Sequence, residues 1–323
     1  MRLFALNATR SFGEAVAAAL DVPLDAHEER SFEDGEHKAR PMVGVRGADT
    51  YVVQSLHGGP DESPNDKLVR LLFFLGALRE NGADRITAVV PYLAYARKDR
   101  QTKPRDPVTT RYVAQLFEAV GVDRVMTMEV HNVVAFQNAF RCQTVHLDLR
   151  ATFLDRAAAL ADGDIVVASP DPGGVKRAQL FREALEERLG RPVGSALMEK
   201  RRSAGVVSGN LLVGDVAGAR VLVVDDLIAS GGTMVRAAEA CREHGARGVY
   251  ALAAHGLFTG RAAEALADPA LDGVIVSDTV PPFRLSGDAR DRVEIATAAP
   301  TFAKAISRLH GGGAISGLAG PME

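Results

Sequence analysis

The chain has 323 residues, 47% of them hydrophobic and 24% charged, with a formal net charge of -3. That length suggests about two domains of ~150 residues, the composition is that of an ordinary globular protein, and the charge argues against a general nucleic-acid binder. Cys142 and Cys241 form neither a metal-ligand spacing nor a disulfide framework. No run reaches the ~18 apolar residues of a membrane span; the nearest, 86–96, contains Pro91. The apolar start is too short for a signal peptide. The expectation is a cytoplasmic protein bound to neither nucleic acid nor membrane.

Short β-rich runs alternate with amphipathic helices. TYVVQSL (50–56) reads as a strand. A helix capped by Asn65 or Asp66 follows, with Leu68, Leu71, Leu72, Leu75 and Leu78 at helical spacing. It ends at Gly82, ahead of RITAVVPYL; Gly121 likewise precedes VDRVMTMEV, and Gly245 precedes ARGVYALAA. A glycine just past a helix C-terminus fits the left-handed position there. The repeated helix–glycine–strand junction predicts an α/β fold of two mainly parallel sheets flanked by helices. The halves are expected at 1–148 and 149–310, with a small-residue, mobile tail at 311–323.

In such sheets ligands bind beyond the carboxyl ends of the strands, and there the polar clusters fall. LAYARKDRQTKPR follows the strand at 85–90, MEVHN that at 123–128, SPDPGGVKR that at 164–169, and DDLIASGGT that at 220–224. Between Arg97 and Arg105 lie five basic residues and one acid. This is either a solvated charged loop or a polyphosphate grip, in which Arg97 and Arg100 supply planar forks, Lys98 a point charge and Asp99 an orienting carboxylate. His131 is either structural or, with Asp171, a ligand to a hard cation such as Mg²⁺ completed by nucleotide phosphates. Lys200 and Arg202 alternate in EKRRS, so an extended ribbon points both to one face. There they would meet charge developing on a transferring phosphoryl group, or else decorate an exposed hairpin.

VLVVDDLIASGGTMVRAA, from Val221, drives a buried strand into two carboxylates, Asp225 and Asp226. The amides of Ser230, Gly231, Gly232 and Thr233 would face a phosphate at a helix N-terminus. The acids would repel a phosphate and suit sugar hydroxyls or a metal. The pattern describes a pocket for a phosphorylated sugar. The chain has no Walker-A sequence, not even a Gly-Lys pair, and no G-x-G-x-x-G.

Taken together, FEDGE (32–36), VRGADTYVVQSL (45–56), NDKLVRLLFFLGAL (65–78), RITAVVPYLAYARKDR (85–100), the block from Asp106 to His131, SPDPGGVKR (169–177) and VVDDLIASGGT (223–233) resemble the ribose-phosphate diphosphokinase family over nearly the whole length. The resemblance implies two tandem phosphoribosyltransferase-like domains in a homo-oligomer, of dimer or hexamer-of-dimers type. Phe32, Asp34, Gly35 and Glu36 would hold the adenine side of ATP, and Arg97, Lys98, Asp99 and Arg100 its phosphates. His131 and Asp171 would bind Mg²⁺. Lys200 and Arg202 would stabilise the transition state. Asp225, supported by Asp226, would hold the ribose hydroxyls of ribose 5-phosphate, with Ala229 to Thr233 around its phosphate. Three positions depart from the common family pattern: Ala229 where many members have an acid, Lys98 where glutamine is common, and Glu129 where aspartate is common. The alternatives are a phosphoribosyltransferase, which uses the same loop on the diphosphokinase product, 5-phosphoribosyl 1-diphosphate, or a non-catalytic regulatory paralogue.

Overall fold

The computed structural model describes residues 1–203 and 206–315, leaving aside the side chains of 200–203 and 206–210. The chain divides into two units: Met1–Asp148 together with the segment from Ala298, and Leu149–Thr297.

The first unit is built on a five-stranded parallel sheet. Its strands are β1 (Arg2–Ala5), β4 (Asp49–Val53), β5 (Arg85–Val90), β6 (Arg124–Met128) and β7 (Gln143–Leu147), side by side in that order. The intervening helices are α1 (Arg10–Leu20), α2 (Pro64–Glu80), α3 (Thr109–Ala119) and α4 (Val133–Ala139). Burial on both faces explains the continuous apolar runs: all five residues of β4 are buried. A separate antiparallel hairpin, β2 (His27–Ser31) with β3 (His37–Pro41), carries FEDGE at its tip. The α2 cap is Ser63, not Asn65. Ser63 Oγ accepts from Asp66 N, and Asp66 returns a carboxylate to Ser63 N at 2.8 Å, a capping box with Pro64 in the first turn.

The second unit holds α5 (Arg150–Ala159), β8 (Ile165–Ser169), α6 (Val175–Leu189), β9 (Gly194–Ser203), β10 (Val206–Val213), β11 (Arg220–Ile228), α7 (Gly232–Glu243), β12 (Gly248–Gly256), α8 (Ala262–Leu266), β13 (Gly273–Ser277), α9 (Gly287–Asp291) and β14 (Val293–Ala296). Its sheet runs β10-β9-β8-β11-β12-β13-β14, parallel except for the β9–β10 pair. The chain leaves β8 towards one edge and returns at β11 to build towards the other. The order therefore reverses between β8 and β11, and a crevice opens at such a point. The segment with Lys200 and Arg202 belongs to β9 itself, registered against Asn210 and Val207 of β10. The side chains of Lys200 and Arg202 lie outside the described residues.

The fold class expected from sequence is the one observed, and Gly82, Gly121 and Gly245 all take positive φ. One boundary differs. Helix α10 (Ala299–His310), expected in the second half, packs on α1 of the first unit. Phe302 meets Phe12 edge-on at 5.4 Å between centroids, and His310 Nδ1 lies 2.8 Å from Asp49 Oδ2. Burying two phenyl rings together decides where that amphipathic helix docks.

Candidate active site

In the second unit the two switch-point strands deliver the site. Strand β8 is buried throughout and runs into Pro170 and Asp171. Asp171 Oδ1 accepts from Gly173 N at 2.8 Å and Gly174 N at 3.1 Å, so the carboxylate is held by the turn that follows it. Ser169 Oγ donates to Asp171 O at 2.7 Å, and a side chain at Gly174 would strike that hydroxyl.

Strand β11 is buried from Val221 to Val224 and carries the acids near its carboxyl end, two residues before Ile228 closes it. Arg177, from the first turn of α6, places Nη1 3.3 Å from Asp225 Oδ1 and 3.9 Å from Asp226 Oδ1. Asp226 N also donates to Asp225 Oδ1 at 2.9 Å. Burial, and then the neighbouring Asp226 carboxylate, push Asp225 far above its ordinary range, although Arg177 pulls the other way. The pair is poised for a partner that donates hydrogen bonds or brings positive charge. Arg177 was not among the expected site residues. Its signal in the sequence was a basic residue six positions after Asp171.

Past Ile228 the backbone sorts its polarity. Ile228 O accepts from Leu257 N and Phe258 N at 2.9 and 3.1 Å, and Ala229 O accepts from Thr259 N at 2.9 Å. The carbonyls thus face the chain after β12. The first helical bond of α7 is Val235 N to Gly231 O, 3.1 Å. Among the described residues the amides of Ser230, Gly231, Gly232 and Thr233 have no acceptor, the condition of a helix start that receives an anion. Gly231, at φ 80° and ψ -17°, is the left-handed residue that turns the chain into α7. Gly232, the next residue, has an ordinary φ. Arg236, one turn into α7, donates Nη2 to Thr233 Oγ1 at 3.2 Å and so adds a cation beside these amides.

In the first unit the tip of the hairpin is exposed from Ser31 to Glu36. Phe32 N donates to Glu36 O at 2.8 Å, Glu36 N to Asp34 Oδ1 at 3.0 Å, and Gly35 turns at φ 92°. The Phe32 ring, 41% exposed, has the Arg30 guanidinium 5.2 Å from its centroid. Arg97 and Arg100 are exposed and make no ion pair among the described residues. Lys98 is held by side chains of its own loop. Its ammonium lies 2.5 Å from Asp106 Oδ2 and 3.0 Å from Thr102 Oγ1. Asp106 Oδ2 also takes the amides of Thr102 and Lys103, which ties the loop into a ring. Lys98 and then Thr102 hold that carboxyl well below its usual range.

Asp99 orients neither Arg97 nor Arg100. It accepts from Asn132 Nδ2 at 2.7 Å, and Asn132 caps α4 by accepting from Ala135 N at 3.1 Å. The basic loop is thereby fastened to the loop carrying His131, which is exposed. Glu129, buried at positive φ 38°, sits where the chain leaves β6 for that loop. Among the described residues no three His, Cys, Asp or Glu side chains stand together as a metal site.

Parallel sheets with a carboxylate pair beside an amide cradle at the switch point define a transferase of phosphoribosyltransferase-like fold. Comparison with known proteins narrows the class. A family model described as the N-terminal domain of ribose phosphate pyrophosphokinase matches residues 1–121, and a phosphoribosyl synthetase-associated domain matches 205–319. A ribose-phosphate pyrophosphokinase of Caldanaerobacter subterraneus subsp. tengcongensis is 38% identical over 98% of this chain and 97% of its own. One from Haemophilus ducreyi is 37% identical over 98% of each chain. The crystal structure of phosphoribosylpyrophosphate synthetase from Mycobacterium smegmatis matches with a TM-score of 0.85 and 34% identity, covering 97% of this chain and 99% of that one. The chain belongs to the ribose-phosphate pyrophosphokinase family and is an enzyme of nucleotide biosynthesis.

Proposed function

We propose that the enzyme transfers diphosphate from MgATP to the C1 hydroxyl of ribose 5-phosphate, giving 5-phosphoribosyl 1-diphosphate and AMP. The observation that carries this is the switch point of the second unit, where the Asp225–Asp226 pair adjoins four amides without an acceptor. A phosphate needs donors and a sugar diol needs acceptors, and within a few residues the chain supplies first the acceptors, Asp225 and Asp226, and then the donors, the amides from Ser230.

The remaining roles follow from chemistry. The amides from Ser230 to Thr233, with Arg236 beside them, bind the 5-phosphate, and Asp225 and Asp226 accept from the ribose hydroxyls. Phe32 offers a face for adenine, and Asp34 and Glu36 offer acceptors for its amino group and ribose. Arg97 and Arg100 are the guanidinium forks left for the polyphosphate, while Lys98 shapes their loop through Asp106. The C1 oxygen attacks the β-phosphorus in line, the bond from that phosphorus to the oxygen bridging it to the α-phosphate breaks, and AMP leaves. Lys200 and Arg202 meet the charge that develops. Such a reaction asks a protein for positioning and neutralisation more than for covalent chemistry.

The donors present fit Mg²⁺. Asp171 is a hard oxygen ligand held by its own turn, and His131 is an exposed imidazole; waters and phosphate oxygens would complete the shell. Bound there, Mg²⁺ would neutralise the diphosphate being transferred. Among the described residues no helix is long and apolar enough to cross a membrane; a cytoplasmic homo-oligomer without nucleic-acid partners belongs to the same reading. The test is AMP formation from ATP and Mg²⁺ with and without ribose 5-phosphate. Sugar-dependent AMP is expected, and AMP formed equally without the sugar, or not at all, overturns the proposal.

A further inference from the structure

The hairpin β2–β3 pairs with no strand of the main sheet. A lone two-stranded hairpin is marginal in water, so side-chain anchors must hold it. On β3, Ala39 enters the core and His37 stacks on Phe73 of α2, with centroids 5.3 Å apart and planes at 24°. On β2 the anchor is a charged cluster. Glu29, with 4% of its side chain exposed, accepts from Asn7 N at 2.6 Å and pairs with His27 Nε2 at 2.8 Å. Arg70 of α2 then gives Nη1 to Glu29 Oε2 at 3.3 Å, and Nη2 to both Glu62 Oε1 and Ser31 Oγ at 3.2 Å.

Ser31 is the residue before Phe32. Its bond to Arg70 is therefore the last side-chain tether on this strand before the exposed tip. Arg70 and Phe73 lie three residues apart on α2 and share a face, so one helix grips both strands where they enter the turn. Among the described residues Asp34, Gly35 and Glu36, at the tip, have no such anchor to α2.

We propose that Arg70 is the positioning residue of the nucleotide-contacting tip: its guanidinium fixes the end of β2, and so the place of Phe32, without touching nucleotide. The proposal rests on the reading of Phe32 to Glu36 as ATP-contacting. It assigns to Arg70 a share of ATP affinity and none of the sugar-phosphate affinity. The geometry needs donors on two separated nitrogens of one rigid plane to reach three acceptors, which guanidinium provides and the single nitrogen of an ammonium does not.

The experiment is steady-state kinetics on full-length Arg70→Met, Arg70→Lys, Ser31→Ala and Phe32→Ala, with melting curves. Arg70→Met is expected to raise the KM for ATP about tenfold, the weight of one charged hydrogen bond, with kcat and the KM for ribose 5-phosphate nearly unchanged. Arg70→Lys should recover part of the loss. An unchanged KM for ATP in folded Arg70→Met, or a rise shared equally by both substrates, overturns the proposal. If Arg70→Met fails to fold because Glu29 loses its cation, Ser31→Ala decides. That change cuts the tether and leaves no buried charge unpaired; a rise confined to ATP supports the proposal, and no change overturns it. Phe32→Ala separates the underlying reading: if it leaves the KM for ATP untouched, the tip is not the nucleotide contact and the reading itself has failed.

Discussion

Gly231→Ala is the sharpest single perturbation of the cradle. The residue sits at φ 80°, where an L side chain costs roughly 1–2 kcal/mol. Its new methyl would also lie 2.7 Å from Ala265 Cβ, inside any real contact distance, with no flexible end to move aside. Forcing extra carbon into such a site typically costs about 1–3 kcal/mol, so the strain totals about 2–5 kcal/mol. Either α8 moves away or the first turn of α7 rotates, and the second displaces the amides of Ser230 to Thr233. Misplacing the cradle by even half that energy weakens ribose 5-phosphate at least about fivefold, since 1.4 kcal/mol is tenfold. Gly232→Ala is the control, because there φ is ordinary and the nearest atom is the end of Arg236 at 3.4 Å. Calorimetric titration with ribose 5-phosphate and, separately, MgATP should show a sugar-selective loss for Gly231→Ala, a lowered Tm, and near-native behaviour for Gly232→Ala. Equal damage from the two substitutions, or native sugar binding by Gly231→Ala, would refute the geometry.

The ionisation of Asp225 supplies a second check. Burial, then Asp226, raises it from 3.8 to about 8 in the unliganded protein, so its contribution to stability is fully present below about pH 3.8 and is lost as pH rises through about 8. Unliganded Asp225→Asn should therefore out-melt wild type increasingly from pH 4 to about 8 while losing ribose 5-phosphate binding; a gap independent of pH contradicts the argument. Lys200→Ala should cut kcat by about 10²–10³ with both KM values little changed, and an effect on KM alone would make Lys200 a binding residue. His131→Ala or Asp171→Ala should raise the Mg²⁺ concentration for half-maximal rate, and the double change should nearly abolish turnover; full activity of the double variant at low Mg²⁺ removes both from the metal site.

What the sequence discloses and what it hides follow from how far each interaction reaches. Buried parallel strands leave local marks, IVVAS and VLVV among them, and a glycine after a helix is a one-residue signal, so the layered fold is legible. The Ser63–Asp66 capping box was equally local, in S-P-N-D, yet the eye falls on Asn65. Two glycines in a row do not say which one turns left-handed, because Ala265, whose methyl crowds Gly231, is more than thirty residues away in sequence. An amphipathic pattern in α10 shows that one face is buried but not that Phe302 meets Phe12 rather than a residue of the second unit. In the loop from Arg97 to Arg105 a run of cations reads as one functional class. Only the fold shows that Asp106 claims Lys98 while Arg97 and Arg100 keep their charge exposed. Arg177 and Arg236 were missed for the opposite reason: each is an ordinary charged residue on a helix until the turn geometry brings it to the acids or to the amides.

The order of groups along the opening of α7 restricts how a phosphosugar can lie. Carbonyls of Ile228 and Ala229 are consumed by the amides of Leu257, Phe258 and Thr259, so the acceptors on that side of the loop are satisfied. The amides from Ser230 onward are donors only, and Arg236 adds positive charge to the same end. Four residues upstream of that run β11 carries Asp226, with Asp225 before it; their oxygens accept, and the raised proton affinity of Asp225 shows how strongly buried negative charge there seeks compensation. A dianionic phosphate placed on the acids would add to that repulsion and leave the amides unsatisfied. Hydroxyls placed on the amides would offer only weak, uncharged acceptors to a helix start that favours an anion. Each misplacement would lose charge-assisted hydrogen bonds at both ends, so on the proposed reading the loop would take a phosphorylated polyol in one direction, with the far end of the sugar directed away from the phosphate cradle.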